Sequence, residues 1–133
     1  MATFSTDSNA SFGADDVREG FPVALLDETA ELYGLTPNAL GRSLGIAERT
    51  LKRRRDSRKA RLSSPESDRL LHAREIYDLT VTAFDGNADA ASEWLTSPKL
   101  AFHGETPADQ LATRATTRIV EQMVISMTYL MPV

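Results

Sequence analysis

The sequence predicts an all-α fold, with a helix-turn-helix region followed by a small second helical region. Three observations predict it. Apolar residues recur at spacings of three and four along most of the chain. Helix-starting residues and glycine or proline stops punctuate those stretches. No segment alternates apolar and polar residues with the period of two that a half-buried strand requires. The length of 133 residues suffices for one core with an appendage, and a content of 41% hydrophobic and 26% charged residues is that of a folded globular chain.

Residues 1–20 are rich in Ser, Asn, Gly and Asp and read as a mobile leader without assigned structure. Val23, Leu26, Ala30 and Tyr33 then fall at helical spacing, and Gly34 stops that first helix as a C-terminal glycine does. Thr36-Pro37 supplies a capping hydroxyl and a proline at the first helical position, opening a short helix to about Ser43. Gly45 breaks it, and a further short helix runs from Ala47 to about Arg55. After a joint at 62–65, Ser63 and Glu66 have capping-box spacing and begin a long helix through Leu70, Leu71, Ile76, Tyr77, Val81 and Phe84. Asp85-Gly86 ends it, Asn87 caps a helix through Ala91 to Leu95, and 96–105, with Pro98 and Gly104, reads as a loop. Thr106-Pro107 repeats the cap-plus-proline start and predicts a last helix whose buried row is Leu111, Ala115, Ile119, Met123 and Met127, with Val120 and Val124 beside it. The resulting division is a leader at 1–20, a helix-turn-helix region at 21–61 and a second helical region at 62–133.

The net charge of −4 hides a strong segregation. Residues 1–41 hold seven acids and one base, 42–61 two acids and nine bases, and 62–133 ten acids and five bases. A +7 block on an acidic chain is a local electrostatic footprint for nucleic acid. It coincides with the helix-turn-helix pattern of 37–55, in which Gly45 sits in the turn, Gly41 is small where the helices cross, and Leu40, Leu44, Ile46 and Leu51 fill the wedge. Glu48, Arg49, Thr50, Lys52 and Arg53 are placed to face outward from the second helix, with Arg49 and Arg53 suited to guanine edges. Arg54, Arg55, Arg58 and Lys59 read as phosphate neighbours, and Arg42 completes the DNA-binding set. The plainer alternative is a helical hairpin with a solvated basic face. Ala47 is a poor helix cap, and Arg54 stands where such motifs often bury an apolar residue.

Several function classes lose their basis. With no cysteine, disulfides, thiolate metal sites and cysteine nucleophiles are excluded. No run reaches the roughly 18 apolar residues of a membrane span, and the first residues show neither a basic leader nor an apolar signal core, so the expected compartment is the cytoplasm. An enzyme has little support. His72 falls on a helix and His103 in a loop, without HExxH, a P-loop, a Gly-rich dinucleotide turn or a nucleophile elbow. Glu66, Asp68 and Glu75 read as a charged helix start and face, and no cofactor or metal is expected.

The segments LGIAERTLKRRR, RLSSPESDRLLHAREIYDLTVTAFDG and ASEWLTSPKLAFHGETPADQLATRATTRIVEQMV, in that order and spacing, resemble the antitoxin family that contains Xre, MbcA and ParS. The most specific elements are the Arg61-Leu-Ser and Glu66-Ser-Asp-Arg-Leu pair, the Trp94-Leu-Thr-Ser-Pro-Lys corner and Gly104-Glu-Thr-Pro-Ala-Asp-Gln-Leu. The resemblance implies a non-enzymatic repressor of its own operon that binds the toxin encoded beside it through the region after the helix-turn-helix. It further implies a RES-domain partner that degrades NAD. The final stretch departs from the resemblance: 122–133 carries no charged side chain, where similar proteins commonly end in a charged segment. That stretch is too short to span a bilayer and too apolar for a free tail, so it needs a cover. Core packing with a homodimer seam and a toxin interface are both open, and Met127, Tyr129, Leu130 and Met131 are the candidate toxin contacts. The expected assembly is a dimer on a pseudo-palindromic operator, within a larger complex with toxin. The alternative is a stand-alone helix-turn-helix regulator without a toxin.

Overall fold

A computed structural model describes residues 12–130. Its helices are α1 (Ala14–Glu19), α2 (Val23–Tyr33), α3 (Pro37–Ser43), α4 (Glu48–Asp56), α5 (Ser64–Ala83), α6 (Ala88–Leu95) and α7 (Arg114–Leu130), with 3₁₀ turns at Leu100–Phe102 and Ala108–Gln110. Among the described residues β pairing is limited to an isolated antiparallel bridge between Pro22 and Arg61.

Local chemistry sets most of the boundaries. Gly34 closes α2 with φ 73°, a left-handed conformation that costs glycine little. Thr36 Oγ1 accepts from the Ala39 N–H at 3.1 Å and starts α3, with Pro37 in its first turn. Ser63 and Glu66 form a reciprocal capping box on α5: the Ser63 N–H donates to Glu66 at 2.8 Å and the Glu66 N–H to Ser63 Oγ at 3.2 Å. Asn87 Oδ1 accepts from the Ala90 N–H at 3.1 Å and opens α6.

One continuous core joins the two regions. Leu26, Leu40, Leu44, Ile46 and Leu51 pack in the same cluster as Leu70, Ile76, Leu95, Leu111, Val120 and Val124. Fully burying each such aliphatic side chain contributes about 1.5–3 kcal/mol relative to leaving it exposed. Helix α5 is the hub, touching α1, α2, α6 and α7. Tyr33 at the end of α2 is fully buried and its hydroxyl donates to the Ala73 carbonyl of α5 at 2.6 Å; burial drives its pKa upward and keeps it a donor. Arg74, also on α5, is only 2% exposed and donates to Thr29 Oγ1 at 3.3 Å. Burial lowers its pKa to about 10, against the opposing pull of Asp78 and Glu28. The Arg74 guanidinium also lies 5.4 Å from the centre of the Phe12 ring.

Two sequence expectations are corrected here. Structure begins inside the stretch read as a mobile leader: residues 14–19 are helical, Phe12 and Val17 pack on the core, and Phe12 meets Phe21 edge-on at 5.0 Å. The first turn of α1 is supported by Asp16, whose carboxylate accepts from the Gly13 N–H at 2.7 Å. Gly20 then brings the chain against the joint before α5, where Arg61 donates to the Gly20 carbonyl at 2.6 Å and the Phe21 N–H donates to Ser67 Oγ at 2.8 Å.

The last helix starts later than Thr106-Pro107 suggests. Thr106 and Asp109 do exchange capping hydrogen bonds, at 2.9 and 3.1 Å, but around the 3₁₀ turn Ala108–Gln110. The chain turns again, and Thr113 Oγ1 accepts from the Thr116 N–H at the start of α7. Leu111 is therefore outside the helix. The buried row of α7 is Thr117, Val120 and Val124, with Met123 and Met127 half-buried, while Ala115 and Ile119 are exposed.

Candidate functional site

The pair α3–α4 is built as the sequence suggests. Leu40, Leu44, Ile46 and Leu51 are at most 2% exposed. A β-carbon on Gly41 would lie 3.4 Å from the Ile46 carbonyl oxygen, and Gly45 takes φ 78° in the turn. Helix α5 braces this turn through Arg69, whose Nε donates to the Leu44 carbonyl at 2.7 Å. Ala47 gives α4 no side-chain cap. Glu48 in the first turn is instead held by the preceding helix, accepting from Asn38 Nδ2 at 3.2 Å and Arg42 Nη1 at 3.3 Å.

The basic residues of 42–61 divide into two sets. Arg49, Arg53, Arg58 and Lys59 are exposed, and among the described residues none is in an ion pair. Thr50 is half-buried, and Lys52 is exposed but bridges Asp56 on the same helix at 3.1 Å. The other set is engaged within the protein. Arg54 lies half-buried, with Nε and Nη2 each 3.1 Å from a Glu66 oxygen. Arg55 donates to both oxygens of Asp27 on α2, at 2.8 and 2.5 Å; these bonds raise its pKa against the opposing effect of burial. Burial pushes the Glu66 carboxyl up, but Arg54 and the Ser63 N–H outweigh it and hold its pKa below the ordinary value. In the free chain Arg54 and Arg55, which the sequence reads as phosphate neighbours, thus fasten α4 to α5 and α2. Glu66 and Asp27 are the partners that sequence reasoning missed, since charges 12 and 28 residues apart have no local periodicity to link them.

A second candidate surface is on the last helix. Helix α7 turns Ile119 (50% exposed), Ile125 (39%) and Tyr129 (84%) outward. Of the residues expected at a partner surface, Met127 is half-buried, Tyr129 is exposed and Leu130 closes α7, while Met131 lies outside the described residues. Leu100, which sequence reading placed in an ordinary loop, is 98% exposed. Its loop is ordered: the Lys99 N–H donates to the Glu105 carbonyl, the Gly104 N–H to the Lys99 carbonyl, and Lys99 Nζ sits 5.1 Å from the centre of the Trp94 ring. Among the described residues, no group of three His, Asp or Glu side chains is arranged to hold a metal ion, and no helix is long and apolar enough to cross a membrane.

Residues 13–73, which include α3 and α4, match the model of the antitoxin Xre-like helix-turn-helix domain, and residues 80–129 match that of the antitoxin Xre/MbcA/ParS C-terminal toxin-binding domain. The chain belongs to the Xre antitoxin family. It is 37% identical over 109 residues to an antitoxin Xre of Pseudomonas putida, covering 82% of this chain and 66% of the relative. An antitoxin Xre of Yersinia enterocolitica is 30% identical over 100 residues, covering 74% and 66% of the respective chains. The corresponding protein of Photorhabdus laumondii is 28% identical over 99 residues, with the same coverage of 74% and 66%. The chain thus spans about two thirds of the length of these curated Xre relatives. The two matches end and begin within α5, leaving residues 74–79 between them.

Proposed function

We propose that this chain is a non-enzymatic antitoxin of a type II toxin-antitoxin system that represses its own operon through α3 and α4 and neutralises a neighbouring toxin through its second half. The observation that carries the reading is the succession of the two Xre-family matches over a single continuous core. On this reading Arg49 and Arg53 meet base edges. Arg42, Glu48, Thr50 and Lys52 complete the groove-facing set, and Arg58 and Lys59 meet phosphates. Arg54 reaches DNA only by leaving Glu66.

The toxin surface comprises Met127, Tyr129, Leu130 and Met131, at the end of α7 and in the segment after it, with Tyr129 its exposed member. The toxin is a RES-domain protein that degrades NAD, a reading supported by the resemblance of the 61–70, 94–99 and 104–111 segments. The chain acts in the bacterial cytoplasm as a homodimer within a larger toxin complex, placing two recognition helices on the half-sites of a pseudo-palindromic operator. The test is a pull-down on the tagged chain co-expressed with its neighbouring gene, followed by gel-shift analysis with DNA from upstream of the operon. A complex that shifts this DNA and not a scrambled fragment is expected. Recovery of a DNA-binding chain with no partner would favour a stand-alone regulator.

A further inference from the structure

Glu48 is the one acid that the first two turns of α4 place among Arg49, Lys52 and Arg53. A carboxylate there repels every phosphate backbone equally, so it works against non-specific binding. Its effect on the helix dipole accounts for an acid in the first turn, but not for the way this one is held. Asn38 and Arg42, both on α3, donate to its two different oxygens at 3.2 and 3.3 Å, while the side chain remains 62% exposed. Each oxygen keeps a further lone pair. The carboxylate is therefore ordered at the helix end that enters a major groove, with acceptor capacity to spare. The base-edge group that fits an exposed carboxylate is the cytosine N4 amino group, a donor unaccompanied by a major-groove acceptor on the same base.

We infer that Glu48 is a specificity-determining residue that selects cytosine at one position of each operator half-site, with Asn38 and Arg42 as its positioning residues. This rests on the DNA-binding reading given above. The test is selection of bound duplexes from a randomised pool by the full chain, comparing wild type with Glu48→Gln, Glu48→Ala and Asn38→Ala, with each variant's thermal unfolding checked alongside.

Wild type is expected to enrich cytosine at one half-site position. Glu48→Gln should move that preference to adenine, whose N6 and N7 match an amide. Glu48→Ala should lose discrimination there by roughly tenfold or more while binding random DNA more tightly. Asn38→Ala should weaken the same preference and leave other positions unchanged. Identical enriched sequences for wild type and Glu48→Ala would overturn the inference, as would wild-type binding without sequence preference. A wild-type chain that binds no DNA would remove the DNA-binding reading as well, which separates the two failures.

Discussion

Arg54 of α4 and Glu66 of α5 form a bidentate pair, with both N–H···O distances at 3.1 Å, and Glu66 also caps α5 through the Ser63 N–H. One carboxylate therefore closes a helix start and fastens α4 to the hub. Glu66→Ala removes both functions and leaves the half-buried Arg54 charge without its partner. It is expected to cost about 2–3 kcal/mol of folding stability. Urea unfolding of the two proteins measures this, and a loss below about 0.5 kcal/mol, the range of an ordinary surface change, would contradict it.

The same pair gives stability an acid limit. The folded pKa of Glu66 lies below its ordinary value of 4.5, so the folded state favours the ionised form. That contribution is fully present above the unfolded pKa and is lost as pH falls through the folded one. Wild type should lose stability on acidification below about pH 4.5, while Glu66→Gln, less stable at neutral pH, should show a shallower loss over that window. Unfolding midpoints at matched pH values check it, and parallel curves would rule out this role for Glu66.

Gly20 adopts φ 89°, and a β-carbon there would sit 2.1 Å from the Leu62 carbonyl oxygen. Gly20→Ala combines left-handed strain with a backbone clash and should destabilise the fold by about 3 kcal/mol or more. By contrast, a β-carbon on Gly86 meets nothing within 4 Å, although its φ is also positive, so Gly86→Ala should cost only the backbone strain of about 1 kcal/mol. Melting temperatures of the two variants give the comparison.

Base and phosphate contacts should separate experimentally. Arg53→Ala is expected to weaken operator binding by about 1–3 kcal/mol and relax specificity at one position. Arg58→Ala should weaken binding to all sequences alike and reduce the salt-dependence slope by about 1. Arg54→Ala should act chiefly on stability, because its guanidinium is already engaged by Glu66. Gel shifts across a salt series with operator and scrambled duplexes distinguish the three.

Deleting 127–133 should release toxin activity while sparing DNA binding. Tyr129→Ser, a change at an 84% exposed residue, should weaken toxin capture without changing the unfolding midpoint of the isolated chain. A truncated chain that still neutralises fully would rule out the tail as the inhibitory surface.

Much of this architecture is legible in the sequence because the signals are local. Thr36-Pro37, the Ser63/Glu66 box and Asn87 each bond to a backbone N–H three residues on, so their spacing alone reports the helix start. Gly34 and Gly45 take the left-handed conformations that their positions imply. The misread elements have competing or distant causes. Thr106 is a true cap but serves a 3₁₀ turn, and Thr113-Arg-Ala-Thr116 carries a second cap signal seven positions nearer the buried valines, so that the helix begins at Arg114 and not at Pro107. Helix α1 is short and polar, and what holds the chain there is packing of Phe12 and Val17 on the core together with bonds to Arg61 and Ser67. Within the candidate site, the outward direction of Arg49 and Arg53 follows from the helix period. The capture of Arg54 by Glu66 and Arg55 by Asp27 depends on tertiary contacts that no period encodes.

The most direct measurement is cellular NAD and growth after induction of the neighbouring gene, with and without this chain. An antitoxin against an NAD-degrading toxin predicts NAD collapse and growth arrest without the chain, both prevented by its co-expression. Unchanged NAD and growth when the neighbour is expressed alone would contradict the account.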